Sequence, residues 1–177
     1  DISRFNLDDI ASVSLSISLP EDIFCSARHL ASSGVLNIES CTPEFEQGPA
    51  EINTKITIGS FGTYIPYISF NGRIRDSYML KASFNGTFSR GNYPFLVQNG
   101  QTEILQNSDV ASYGGEADFR ADWHRSGRLR GKINFNCSER GLPGSVVLYT
   151  GNAFERLWDK SVISNLMYDI DLGEKWK

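Results

Sequence analysis

The sequence predicts a mainly β chain folded as one antiparallel β-barrel domain spanning residues 1–177, of the meandering, lipocalin-like kind. Three observations predict it. Apolar and polar residues alternate with a period of two over most of the chain. The alternating runs are separated by short links rich in Gly, Asn, Asp and Pro, which suit hairpins. From residue 51 to the last run, no helical crossover of the kind parallel strands require is present. Closing so long a meander removes the free edges it would otherwise present to other chains. A two-sheet β-sandwich and a helix-grip α+β fold are the alternative architectures.

Taken in order, "ASVSLSISLP" is a strand with Val13, Leu15, Ile17 and Leu19 on one face and Ser12, Ser14, Ser16 and Ser18 on the other. "PEDIFCSARHLASSG" follows, with Pro20 and two acids at its start, Ile23, Phe24, Ala27 and Leu30 at helical spacing, and Gly34 beyond it. These features predict a short helix. "GVLNIES" returns to strand and "CTPEFEQGPA" is a loop. The meander then runs through "EINTKITIG", "TYIPYISFNG", "SYMLKASFNGTF", "YPFLVQ", "TEILQ", "EADFRADWH", "RLRGKINFN" and "SVVLYTG". Near the end, Asn152 with Glu155 resembles a capping box, and Phe154, Leu157, Trp158, Ser161, Val162 and Leu166 fit one helical face. A C-terminal helix is therefore expected over "GNAFERLWDKSVISNL", with "MYDIDLG" as a last strand.

The net charge of −4 supplies no overall positive field, which argues against nucleic acid as a partner. No apolar run reaches the length of a membrane-crossing helix, and membrane insertion is not expected. The chain reads as soluble, either cytoplasmic or secreted after loss of a signal. Cys25, Cys41 and Cys137 lack metal or redox spacing and suit buried thiols. Asn85 and Asn136 head glycosylation sequons that would matter in a secreted protein.

The stretch 114–137 concentrates charge. With Arg125, Ser126 and Gly127 as the turn, the expected pairs are Asp122 with Arg130, Arg120 with Lys132, Asp118 with Asn134, and Glu116 with Asn136. Phe119, Trp123, Ile133 and Phe135 fall on the other face. Because burying an ion is costly unless it is well paired, the charged stripe is expected in water and the aromatic face in the core. His124 beside Asp122 could form a base with its orienting carboxylate, but no nucleophile accompanies it. His29 reads as structural. Asp169, Asp171 and Glu174 gather near a glycine without the full calcium loop. The arginines and lysine at 125–132 face the acids of the preceding strand, which should cancel their field.

No nucleotide, zinc or hydrolase signature occurs, and no metal or other cofactor is expected. The inward face then carries the functional expectation. Thr54, Ile68, Phe84, Phe119, Trp123 and Phe135 would line an apolar chamber for a hydrophobic small molecule, with Tyr64 and Tyr78 as hydroxyls able to polarise a carbonyl. The protein would act as a carrier or as a cofactor-free isomerase or cyclase that folds its substrate into a reactive conformer. The competing expectations are a secreted or cell-surface glycan- or protein-binding module, and a structural domain joined through a sheet edge.

Overall fold

The computed structural model describes residues 10–17, 34–40, 49–75, 77–123, 127–145 and 151–170, which contain ten strands and no helix. The strands fall into two units, residues 1–44 and 45–177.

In the first unit, β1 (Ile10–Ser16) and β2 (Val35–Ser40) pair antiparallel, with Val13 opposite Ile38 and Leu15 opposite Leu36. Val13, Leu15 and Leu36 are exposed. The helix expected between these strands, with His29, lies outside the described residues.

The second unit is an up-and-down meander. β3 (Ala50–Gly59), β4 (Thr63–Ile74), β5 (Tyr78–Ser89), β8 (Val110–Asp122), β9 (Arg128–Gly141) and β10 (Arg156–Asp169) form one six-stranded sheet in that order, every neighbour antiparallel. Between β5 and β8, the short strands β6 (Pro94–Leu96) and β7 (Thr102–Ile104) make their own hairpin. Among the described residues the sheet is not closed into a barrel, and β3 and β10 are its edges.

The connections differ between the two ends of the sheet. At one end, residues 75–77 join β4 to β5 and residues 123–127 join β8 to β9, where the Trp123 amide donates to the Gly127 carbonyl at 3.0 Å. This is the turn end. At the other, residues 90–109 and 142–155 make long excursions, and only the 60–62 turn is short. That loop end is tied together by the Arg90 amide donating to the Phe61 carbonyl at 3.2 Å and by a 2.8 Å bond between the Thr63 and Ser89 hydroxyls. Asn107 donates from Nδ2 to the carbonyls of Leu142 and Glu155, at 3.0 and 2.8 Å.

Three expectations need correction. The C-terminal helix is replaced by β10, which pairs with β9 from Arg156 opposite Gly141 to Asp169 opposite Arg128. Trp158, Val162 and Leu166 are four residues apart, a spacing that shares a face in a helix and in a strand alike, so the apolar positions alone do not separate the two. The β8–β9 register is also displaced by two residues. Asp122 faces Arg128, Asp118 faces Lys132 and Glu116 faces Asn134, because the connection has five residues where three were expected. An even displacement keeps every side chain on its expected face.

The third correction concerns the core. The apolar face is the open one: Phe84, Phe119 and Ile133 are 44%, 37% and 47% exposed. At the centre of the sheet the polar face is the enclosed one, with Asn71, Lys81 and Asn134 at 7%, 8% and 7%, whereas every residue of β3 is exposed on both faces. Among the described residues, nothing covers the apolar face deeply enough to bury these side chains, so the six strands form a single layer.

Gly91 sits where the chain leaves β5 with φ 62°, and a Cβ there would run into the Ser108 backbone carbonyl. Gly91→Ala should therefore cost about 1–3 kcal/mol. At Gly100, φ is 79° but no atom stands within 4 Å of the added Cβ. Equilibrium denaturation should show a clearly smaller loss for Gly100→Ala than for Gly91→Ala.

Candidate functional site: two chemically opposed sheet faces

Strand geometry sends successive side chains to opposite faces, and antiparallel pairing aligns them in rows across the sheet. On the apolar face one such row runs Thr54, Ile68, Phe84, Gly115, Phe135 and Val162. The next row towards the turn end runs Ile52, Phe70, Ala82, Ala117, Ile133 and Ser164, and the one after it contains Gly72, Leu80, Phe119, Gly131 and Leu166. The glycines make room for the large rings: a Cβ at Gly115 would meet the Phe135 ring at 2.6 Å, and one at Gly72 would meet Phe70 at 3.0 Å. Between Ile52 and Ile58 of β3, 64 and 74 of β4, 78 and 88 of β5, 111 and 123 of β8, and 129 and 137 of β9, this face carries no charged residue.

Aromatic residues mark both borders of this band. At the loop end Tyr64 stacks on Phe88, with ring centroids 4.8 Å apart and planes 15° apart. Trp158 lies on the same lateral row, two strands beyond Ala111, and Tyr113 lies one row further in. At the turn end Trp123 donates from Nε1 to the Tyr78 hydroxyl at 3.1 Å, the rings meeting edge to face, and Tyr168 borders β10 opposite Leu129. Lys160, between Trp158 and Val162, falls at the loop-end border.

All eight residues expected to form a ligand site lie on this one face. The structure brings Thr54, Ile68, Phe84 and Phe135 into a single row and sets Phe119 two rows away on the same face. It separates the two tyrosines. Tyr64 pairs opposite Phe88 and Tyr78 opposite Ile74, at opposite ends of β5, about 34 Å apart at roughly 3.4 Å per residue. They do not converge on a common atom.

The polar face holds the residues that sequence reasoning assigned to water. Lys81, Asp118 and Lys132 occupy one row; Ser69, Ser83, Glu116 and Asn134 occupy the next. Lys132 Nζ reaches Glu116 Oε1 at 2.9 Å, a diagonal contact across β8 and β9, and Arg120 Nε reaches Asp118 Oδ1 at 3.2 Å. The signal available in the sequence was the opposition of the basic and acidic strands, which sets Asp118 opposite Lys132 and Asp122 opposite Arg128 but leaves Arg120 opposite Arg130. β10 departs from the pattern, since Leu157, Ile163 and Met167 project to the polar side at the sheet edge. Asn85 and Asn136 both sit within paired strands, with Asn136 buried, which leaves neither sequon presented on a loop. His124, Asp171 and Glu174 lie outside the described residues, as do Cys25 and Cys41; Cys137 is a free thiol on the apolar face.

At the loop-end rim, Arg156 donates to Asp109 Oδ2 at 2.7 Å and to Glu139 Oε1 at 2.6 Å. This bonding holds the Asp109 carboxyl below its ordinary pKa. Among the described residues, no group of three or more His, Cys, Asp or Glu is placed to hold a metal ion.

The chain matches no protein-family model and no curated protein.

A lowered carboxyl pKa contributes stability that is present above the unfolded-state value and lost as pH falls through the folded one. Between pH 6 and about pH 3, Asp109→Asn should thus show a smaller acid-induced drop in unfolding midpoint than the wild type. The difference should be modest, because the pair is largely exposed to solvent.

Proposed function

We propose that the six-stranded sheet is the lipid-facing wall of a transmembrane β-barrel, with its apolar face against acyl chains and its polar face turned to the barrel interior. The observation that carries this reading is the inverted burial: large apolar side chains outside, asparagines and a lysine inside. A soluble sheet that packs face to face against a second copy of itself leaves its polar face in water. Here the polar face is already enclosed.

The dimensions support the reading. From Tyr78 to Phe88 the strand advances about 34 Å at roughly 3.4 Å per residue. Tilted by the 35–45° usual in barrels, it rises about 24–28 Å, close to the apolar band of outer-membrane barrels. Aromatic residues border the band on both sides, as they do at bilayer interfaces, and Lys160 can extend its stem along the apolar surface to place its ammonium beyond the border. Short connections at one end and long ones at the other match the usual asymmetry of such barrels. Further strands pairing with the edges β3 and β10 would close the wall.

No helix among the described residues is long and apolar enough to cross a membrane. That criterion does not apply to strands, where only alternate residues meet lipid and the mean hydropathy stays low, −0.28 here. The expectation of a hydrophobic small molecule takes a different form on this surface. Side chains exposed side by side offer a wall for acyl chains, and this favours lipid over a carrier's or isomerase's enclosed ligand.

Reconstituted in vesicles of brominated phosphatidylcholine, a variant with Phe84→Trp as its sole tryptophan should be quenched best by bromines deep in the acyl chain. Sole tryptophans at 123 or 158 should be quenched best by shallow bromines. Equal insensitivity at all three positions, or a water-soluble dimer that ignores vesicles, contradicts the reading. Depth should also grade stability: Phe84→Arg at mid-band should cost about 2–4 kcal/mol in the bilayer, and Tyr64→Arg at the border about 0–1 kcal/mol.

A further inference from the structure

Resting on the lipid-facing reading, we infer that the polar face encloses an interior of two levels. At the loop end is a water-filled vestibule, and between it and the turn end is a plug of ion pairs that blocks the passage of ions.

The register sorts the polar side chains by size along the strands. Towards the turn end, Lys81, Asp118 and Lys132 stand side by side on β5, β8 and β9, with Glu116 one row on and Arg120 one row back. These are long side chains of both signs. Each positive neighbour of Asp118 has a negative group within reach, and the Lys132–Glu116 and Arg120–Asp118 contacts stitch adjacent rows together. Oppositely charged groups held together in a confined space close it sterically and leave little net field to draw an ion through.

Towards the loop end the same strands carry Asn85, Gly114 and Asn136 in one row, then Thr87, Ser112 and Ser138 in the next. On β5, β8 and β9 these side chains are short, with Lys55 and Tyr67 of β3 and β4 at the same level, so the interior widens beside these three strands where the plug stops.

A second observation points to water in the charged layer itself. Asn71 and Asn134 flank the ion pairs on β4 and β9, each more than nine-tenths buried, and the Oδ1 atom of each has no hydrogen-bond partner. A buried carbonyl oxygen left without a donor is costly, and hydration from the vestibule relieves that cost. The ligand of this interior is therefore water, with small polar solutes admitted as far as the Glu116 row.

The test uses the full chain in planar bilayers and vesicles, with insertion read in the same membranes by tryptophan quenching. The wild type should conduct little. Removing one ion pair without changing net charge, by Glu116→Ala with Lys132→Ala, should raise conductance at least about tenfold. Should that variant fail to fold, Asp118→Ala with Arg120→Ala provides a second opening. Separately, Ser112→Cys in a background otherwise free of cysteine should react with a charged, membrane-impermeant thiol reagent. An inserted chain with equal conductance in wild type and both variants, a wild type that already conducts strongly, or an unreactive Cys at 112 overturns the plug and vestibule alone. A chain that does not insert overturns the lipid-facing reading as well.

Discussion

The fold depends on one constraint: the pleat delivers consecutive side chains to opposite faces, so a sequence that alternates chemistry makes a sheet with two incompatible surfaces. One of them must be withdrawn from the solvent that suits the other. In this chain the polar side chains at the centre of the sheet are buried while the apolar rings remain open. Every functional inference follows from which face is enclosed, since the list of residues on each face would be the same in either case.

Enclosing a polar face is energetically feasible only when its charges find partners. Isolated ions removed from water cost several kcal/mol each, and breaking one member of a buried pair leaves the other uncompensated. The β8–β9 hairpin meets this condition through register and diagonal contacts: Asp118 lies opposite Lys132, and Arg120, which faces Arg130, bonds Asp118 while Lys132 bonds Glu116. The apolar face has a complementary arrangement. Gly72 and Gly115 give up their own side chains beneath Phe70 and Phe135, so that rings can lie against the backbone of the wall.

Much of this was legible in the sequence. The mainly antiparallel β-architecture followed from period-two alternation, and β1, β2, the β6–β7 hairpin, β3, β4, β5 and β9 stand close to where the patterns place them, whereas β8 begins at Val110, six residues before its run, and the run "SVVLYTG" lies mostly outside the described residues. The membership of each face was also legible, even in the hairpin whose register was displaced, because a two-residue shift preserves facing. Two things were not. Trp158, Val162 and Leu166 satisfy helical and strand periodicities equally, and Leu157, Ile163 and Met167 on the other side, which complete an edge strand, weaken the period-two signal. Nor does alternation state which face is wet. Phe84 and Phe119 on one side and Lys81 and Asp118 on the other suit a soluble barrel or an inverted one, and the alternation alone does not decide between them.

Residues 137 and 138 test the central claim most directly, because they are adjacent in sequence and opposite in facing. With Cys25 and Cys41 replaced by serine, native Cys137 in a membrane-reconstituted chain should react with a lipid-soluble maleimide and be spared by a charged one. Moving the thiol one position, by Cys137→Ser with Ser138→Cys, should reverse that preference. A Cys137 that the charged reagent modifies as readily as the lipid-soluble one would place the apolar face in water and contradict the account.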